Sequence, residues 1–301
     1  MIKGQLLLAE FARSPWALTP DYLAICSQVL VNWALNKPVS TDTREQIEAD
    51  KQARSQRTTN GKAYGQIAVI PLHGVITQRP PQDISGAGGT SAMLFARAMQ
   101  QAKNDPSVSK ILIEADGPGG SVYGIQEAAQ VIYDARQVKP VIGIANSLAA
   151  SATLWLSAQC SEFYCTPGGE VGSIGVYTAH QYVGKALENA GVEISLIQAG
   201  DFKTEGNPFE PLNDAAKAAI QARVDDYYRA FVADVARGRN VSVSVVEEKY
   251  GKGRMMGATD ALNSGLIDGV KTFDELLDEL RATTSTKSNA ASHRRAIALA
   301  V

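Results

Sequence analysis

The fold is decided by residues 110–122, which read KILIEADGPGGSV. The first six residues form a short, largely apolar run that is typical of a buried strand, and the glycines after it permit a tight turn. A helical pattern starts at Val122 and continues to Arg136. A strand, a glycine turn and a helix in this order predict a unit of an α/β fold.

Strands and helices alternate on both sides of this unit. Such spacing implies right-handed crossovers between neighbouring strands, and therefore a largely parallel sheet. The predicted strands cover residues 67–76, 110–115, 140–145, 163–165, 173–177 and 193–197. The predicted helices cover residues 91–103, 122–136, 149–158, 179–189, 213–238 and 245–250, and further regular segments cover 258–262 and 273–280.

The chain divides into a main domain and flanking segments. An N-terminal helical extension is expected over residues 1–36, because a helix start at Thr19-Pro20-Asp21 is followed by apolar residues on one face. Residues 37–64 are polar and predict a linker. The main domain covers residues 65–281, and the composition of residues 282–301 predicts a disordered tail.

The composition argues against several classes of protein. The 29 Lys+Arg and 31 Asp+Glu residues give a formal net charge of -2 without a basic cluster, so we expect no nucleic-acid partner. The apolar stretch from Leu23 to Leu35 is shorter than the roughly 20 residues of a spanning helix, so we expect no membrane association. The 3 cysteines lack metal-ligand spacing and predict reduced thiols in a cytosolic protein without a metal site.

Ser151 is the candidate nucleophile. It lies between Ala150 and Ala152 at the start of a predicted apolar helix, where small neighbours leave room for a substrate carbonyl. Lys203, in the loop GDFKTEGNP at residues 200–208, is the candidate base. A free lysine has a pKa of about 10.4, so a lysine base needs apolar surroundings that favour its neutral form. Together the two residues suggest a Ser/Lys hydrolase.

The glycine loop at residues 116–121 has three open interpretations. Its amides precede a helix and suit an anion, but the lysine of a phosphate-binding loop is absent, since Val122 and Tyr123 follow the glycines. The same amides suit an oxyanion hole, which stabilises the tetrahedral intermediate of acyl transfer. A tight turn without a ligand is the third interpretation.

Several motifs together resemble the signal peptide peptidase A family, peptidase family S49. They are DGPGGS at residues 116–121, AAS at 149–151, VGSIGV at 171–176 and DFKTEGNPF at 201–209. The resemblance covers residues 65–281 and implies a ClpP/crotonase-like fold without a cofactor. It also implies roles for particular residues: Ser151 as nucleophile, Lys203 as general base, Gly119 or Gly120 in the oxyanion hole, and Gly172, Ser173, Ile174, Gly175 and Val176 as a strand that pairs with an extended substrate.

The N-terminal residues refine the resemblance. The segments LLLAE at residues 6–10, PWAL at 15–18 and IPLHGV at 70–75 are similar to the phage branch of the family, the head maturation or capsid assembly proteases. This branch implies a polypeptide substrate such as a capsid, portal or scaffold protein. It also implies a homo-oligomer in the cytoplasm of the bacterial host or within the procapsid.

Four alternatives remain open at this point. A ClpP-like Ser/His mechanism would use His180, which follows the strand predicted at residues 173–177. A soluble protease similar to the cellular signal peptide peptidases would keep the chemistry but not the phage role. An inactive scaffolding protein would use the helix at residues 23–35 to bind a partner. An acyl-CoA enzyme of the crotonase class would use oxyanion amides without a nucleophile.

Overall fold

The computed structural model of the chain describes residues 15–20, 62–64, 66–79 and 89–283. Most of the predicted N-terminal extension and linker, and the tail from residue 284 onward, lie outside the described residues. Within them, no helix is both long and apolar enough to cross a bilayer.

A large, mostly parallel sheet forms the centre of the domain. Its strands run in the order β11-β10-β8-β6-β3-β2. In addition, β9 pairs with β8, and β12 pairs with β9. The pairings of β3 with β6, β6 with β8, and β8 with both β9 and β10 are parallel. The bounds are β2 Lys62–Tyr64, β3 Ile67–His73, β6 Lys110–Gly117, β8 Val141–Ala150, β9 Glu162–Cys165, β10 Glu170–Gly172, β11 Met255–Gly257 and β12 Gly269–Val270. This confirms the predicted α/β class.

A smaller sheet covers one end of the large one. Its strands are β1 Trp16–Leu18, β4 Val75–Thr77, β5 Gly89–Ser91 and β7 Gly119–Ser121, in the order β1-β7-β4-β5. β1 is antiparallel to β7 on one side, and on the other side Trp16 forms an antiparallel bridge to Tyr177. The N-terminal segment thus pairs with segments that are far from it in the sequence.

Helices cover both faces of the large sheet. The bounds are α1 Ala92–Asn104, α2 Ile125–Arg136, α3 Ala152–Ser157, α4 Gly184–Asn189, α5 Asp214–Arg239, α6 Val243–Lys249, α7 Ala258–Ser264 and α8 at residues 273–283. One face buries Ile111 and Ile113 against α1, α2, α3 and α5. The other buries Leu112 and Ile144 under Leu277 of α8. The alternation along β6 and β8 therefore supplies both cores.

Three predicted elements are wrong in extent or kind. Ala149 and Ala150 belong to β8 rather than to a helix, because their backbones pair with β10. Residues 173–176 form no strand, since β10 ends at Gly172, where the φ values of Gly172 (138°) and Ser173 (57°) break the extended conformation. Residues 193–197 are exposed and make no ladder, so their alternation of residue types reflects no sheet.

Two helix ends also differ from the prediction. The helix expected at residues 179–189 is shortened to α4, Gly184–Asn189. The long helix α5 passes through Gly238 and ends at Asn240, which adopts the left-handed conformation (φ 54°) that closes a helix. Gly238 is instead required for packing, because a Cβ there would lie 2.2 Å from the carbonyl oxygen of Ala158.

Candidate active site

Ser151 occupies the sharp turn between β8 and α3. Its backbone has φ 55° and ψ -118°, a conformation that side chains rarely adopt. Its N–H donates to the carbonyl of Gly172 (2.8 Å), and its carbonyl accepts from the N–H of Trp155 (2.9 Å). Only 1% of Ser151 is exposed, and among the described residues its Oγ has no hydrogen-bond partner. A buried hydroxyl held in strain without a partner is typical of a reactive group.

A bulge in β8 brings Ser151 to this place. The pairing with β6 shifts from Ala115 and Ala145 to Gly117 and Ala149, so extra residues accumulate on β8. Ser147, in the bulge, has φ 99° and donates its hydroxyl to Asp116 (3.1 Å). Beyond the bulge β8 pairs with β10 instead of β9. The strand end is thereby re-aimed, as bulges near active sites commonly do.

The backbone of Gly119 lies against Ser151. Its φ is +104°, and a Cβ placed on it would lie 2.9 Å from Ser151 Cβ and 3.1 Å from the nitrogen of Ala152. The same point lies 2.1 Å from the carbonyl oxygen of Ala17. Only glycine fits this position, because both the space and the φ value exclude a side chain.

The amide of Gly120 faces β1. The bonds from Thr19 N to Pro118 O (3.1 Å) and from Val122 N to Pro15 O (3.3 Å) flank the Ala17–Gly120 pair in the ladder. Hydrogen-bonded pairs alternate along an antiparallel ladder, so Ala17 and Gly120 form such a pair. The N–H of Gly120 therefore points at the Ala17 carbonyl, beside Gly119 and Ser151.

The segment at residues 172–176 also meets the serine, since the carbonyl of Gly172 accepts from the N–H of Ser151. Gly172 is already paired on both sides, with Ala150 and with Met255, so it is no free sheet edge. Ser173 donates its N–H to the carbonyl of Arg254 (2.9 Å), and the Ile174 side chain is buried. Beyond Val176 the chain reaches Tyr177, whose backbone exchanges two hydrogen bonds with Trp16 (2.8 and 3.0 Å).

Helix α3 is anchored behind the serine. Trp155 is fully buried, stacks on Phe231 with ring centroids 4.3 Å apart, and donates its indole N–H to Asp234 (2.8 Å). Burial raises the pKa of Asp234 above its usual range, although the bond from Trp155 and the charge of Arg237 oppose the rise. This contact ties α3 to α5 and fixes the turn that holds Ser151.

Lys203 lies apart from this cluster. It is exposed, in a loop whose bonds are local, such as Lys203 N to Gly200 O (3.1 Å). His180 is bound to the same loop through Nε2 and the Asn207 carbonyl (3.0 Å). Among the described residues, no hydrogen bond joins Lys203 or His180 to Ser151. The structure thus brings together Ser151, Gly119, Gly120 and Gly172, and leaves both candidate bases outside.

Two parts of the site were missed by the sequence interpretation. The first is β1, whose sequence Trp16-Ala17-Leu18 served only as a mark of the phage branch. The second is Tyr177, which was placed within a predicted strand. Long-range pairing of a three-residue strand leaves no periodic signal. No group of metal-ligating side chains occurs within the described part of the chain.

Comparison with known proteins assigns the chain to a family. The model of peptidase family S49 matches residues 134–287. The capsid assembly protease C of Escherichia phage lambda is 34% identical over 250 residues, which is 82% of this chain and 55% of that protein. The chain belongs to peptidase family S49. The resemblance read from the sequence motifs is thereby confirmed, and the mostly parallel sheet agrees with the predicted α/β class.

Two further similar proteins extend this comparison. The head-tail preconnector protein GP5 of Enterobacteria phage P21 is 36% identical over 211 residues, 68% of this chain and 40% of that protein. The chain therefore spans about half the length or less of these two phage relatives. Among solved structures, a 1510-N membrane-bound stomatin-specific protease has a TM-score of 0.44 and 21% identity, covering 72% of this chain and 80% of that one.

Proposed function

We propose that this member of family S49 is a serine endopeptidase with Ser151 as its nucleophile. One observation carries the proposal: the Oγ of Ser151 is buried on a strained turn beside the amide of Gly120, without a partner in the described part of the chain. An acyl-CoA enzyme of the crotonase class would need no such serine. An inactive scaffold would not need to hold a serine in an unfavourable backbone conformation.

The geometry suits acyl transfer to a serine. The Oγ of Ser151 attacks the carbonyl carbon of the substrate, and its proton passes to a base. The N–H of Gly120, together with the N–H of Ala152 at the start of α3, stabilises the negative charge on the carbonyl oxygen. Gly119 allows the substrate backbone to come close, because it carries no side chain. Residues 173–176, which directly follow Gly172, bind the extended substrate.

Lys203 is the base that we propose, and a neighbouring copy of the chain is the means of enclosing it. An exposed ammonium is solvated and keeps its proton, whereas one covered by apolar groups loses it more readily. Several exposed apolar residues lie on the segment of the chain that leads to Lys203, namely Tyr182, Val192, Ile194, Leu196, Ile197 and Phe202. Covering this surface in a homo-oligomer would remove water from Lys203 and close the loop onto the site.

The substrate that we propose is a polypeptide of the phage head. This rests on the names of the two phage relatives, a capsid assembly protease and a head-tail preconnector protein. Such a protein would work in the cytoplasm of the bacterial host or within the procapsid. The nearest alternative keeps the fold but uses His180 as base; its Nε2 is bound to the Asn207 carbonyl, so Nδ1 would take the proton.

Labelling with a fluorophosphonate probe tests the proposal. Intact-protein mass spectrometry on the wild type should find one adduct, mapped to Ser151, and Ser151→Ala should gain none. Lys203→Ala should label at least 100-fold more slowly, in line with the roughly 10²–10⁴-fold contribution of general-base catalysis. Lys185→Ala, an exposed lysine on α4, is the matched control and should label at the wild-type rate.

Two results would decide against parts of the proposal. An adduct on another serine, or none on assembled oligomers, would remove Ser151 as nucleophile. Wild-type labelling in Lys203→Ala together with loss of labelling in His180→Ala would transfer the role of base to the histidine.

A further inference from the structure

Strand β1 is bound in a cleft between two backbone edges. On one side it pairs with β7 through Ala17 and Gly120, and on the other Trp16 exchanges two hydrogen bonds with Tyr177. All three residues of the strand are buried, with Trp16 8%, Ala17 0% and Leu18 2% exposed. A β-binding site holds an extended peptide by main-chain hydrogen bonds, and β1 makes such bonds on both of its sides.

The position of the Ala17 carbonyl is the decisive observation. Its oxygen lies 2.1 Å from the point where a Cβ of Gly119 would be, and that point is 2.9 Å from Ser151 Cβ. The register directs the Gly120 N–H at the same oxygen. A carbonyl that accepts from this amide beside the nucleophile stands where a substrate carbonyl must stand.

The route of the chain agrees with a bound segment. β1 comes from the N-terminal part of the sequence, whereas its partners are β7 and Tyr177, more than 90 residues away. The flanking bonds at Thr19 and Val122 continue the pairing beyond the three strand residues. The contact therefore extends over residues 15–19, a length typical of peptide recognition rather than of one chance bridge.

We infer that residues 15–19 occupy the substrate cleft of this chain's own active site, with the Ala17 carbonyl in the place of the carbonyl that Ser151 attacks. The inference rests on the proposed function, because it needs Ser151 to be the nucleophile. This occupancy makes the isolated chain latent. A substrate binds only after β1 has left the cleft, so activity is reduced by the fraction of molecules in which the cleft is filled.

The register also names the bond and the substrate chemistry. If Ser151 attacks the Ala17 carbonyl carbon in the assembled oligomer, where Lys203 is closed onto the site, its proton passes to Lys203, the Ala17–Leu18 bond breaks, and the Leu18 nitrogen takes the proton. Water then hydrolyses the ester and releases residues 1–17 with a carboxylate. Because Ala17 is fully enclosed, the cleft accepts a small residue on the carbonyl side of the cleaved bond.

The test compares fluorophosphonate labelling of Ser151 in the full chain and in variants of β1. Ala17→Pro removes the N–H that pairs with Gly120 and should label at least tenfold faster than the wild type. Ala17→Gly keeps this donor and should stay at least fivefold slower than Ala17→Pro. Trp16→Ala, which loses buried area but no backbone bond, provides a second weakened strand and should also label faster. Thermal melting establishes that each variant is folded.

The assembled wild-type protein is also incubated without probe or added substrate, and its mass is followed over time. A Ser151-dependent product that begins at Leu18 would support the inference by itself. Equal labelling rates in all folded variants, with no such product, would overturn it and show that β1 is only a structural strand. Absence of labelling at Ser151 in every variant would instead refute the proposed function, so the two failures are distinguishable.

Discussion

Substitution of Gly119 by alanine should disable the site and also push β1 away from β7, because the new Cβ would lie 2.1 Å from the Ala17 carbonyl oxygen. The new Cβ would lie 2.9 Å from Ser151 Cβ and 3.1 Å from the Ala152 nitrogen, whereas ordinary contacts are 3.4–4 Å. The serine must therefore move by several tenths of an ångström or more. An alanine at φ +104° adds strain of about 1–3 kcal/mol. A displacement of about 1 Å from reactive geometry costs roughly 100-fold in rate.

We therefore expect kcat/KM on an unfolded protein substrate such as casein to fall at least 100-fold, which corresponds to about 2.7 kcal/mol of lost transition-state stabilisation. The assay is carried out on assembled protein, with urea unfolding of each variant measured in parallel. Gly168→Ala is the matched control, because its Cβ would meet nothing within 4 Å, and it should retain at least half of the activity. If Gly119→Ala keeps more than a third of wild-type activity, the close approach that defines this site is not required.

Further predictions concern the support of the site and the buried groups around it. Trp155→Ala should destabilise the protein by about 3–5 kcal/mol in urea unfolding, because it empties the stack behind Ser151; a loss under 1 kcal/mol would contradict the anchoring of α3. Arg136→Met should lower the free energy of unfolding by about 1–3 kcal/mol, because the Arg136 side chain donates to the backbone carbonyls of Gln159, Cys160 and Gly238. Arg229→Met, on the surface of α5, should lower it by less than about 1 kcal/mol. Burial raises the pKa of Cys160 from 9.0 to about 12, so the folded state holds this proton more tightly than the unfolded state. Stability should therefore fall as pH rises above about 9, by at most about 1.4 kcal/mol per unit, and Cys160→Ala should flatten that slope.

The sequence was sufficient for the parts of the fold that depend on local pattern. Lys110 to Gly117 reads as a buried strand because both of its faces are covered, and Asn213 starts α5 as predicted, by accepting from the N–H of Ala216. Ser151 was selected from its small neighbours and Gly119 from the glycine loop and the family resemblance, and the structure places them side by side. Their catalytic roles stay predictions that the labelling experiment tests.

The remaining features depend on contacts that no local pattern encodes. β8 continues through Ala150 because a bulge changes its partner strand, and the alanines alone read equally well as a helix. Residues 193–197 alternate in polarity but pair with no strand among the described residues. Alternation alone therefore does not establish a sheet. The pairing of β1 with β7 joins segments more than 90 residues apart, and the sequence gives no register for it.

A structure of the protein with a fluorophosphonate bound would test the central claim most directly. We predict a covalent bond from Ser151 Oγ to phosphorus, with the phosphonyl oxygen about 2.7–3.1 Å from the Gly120 nitrogen, the distance expected for an oxyanion donor. The bound group would take the place of the Ala17 carbonyl, so β1 should be displaced from β7. An adduct on another residue, or one at Ser151 whose oxygen points away from the Gly120 amide, would contradict the account.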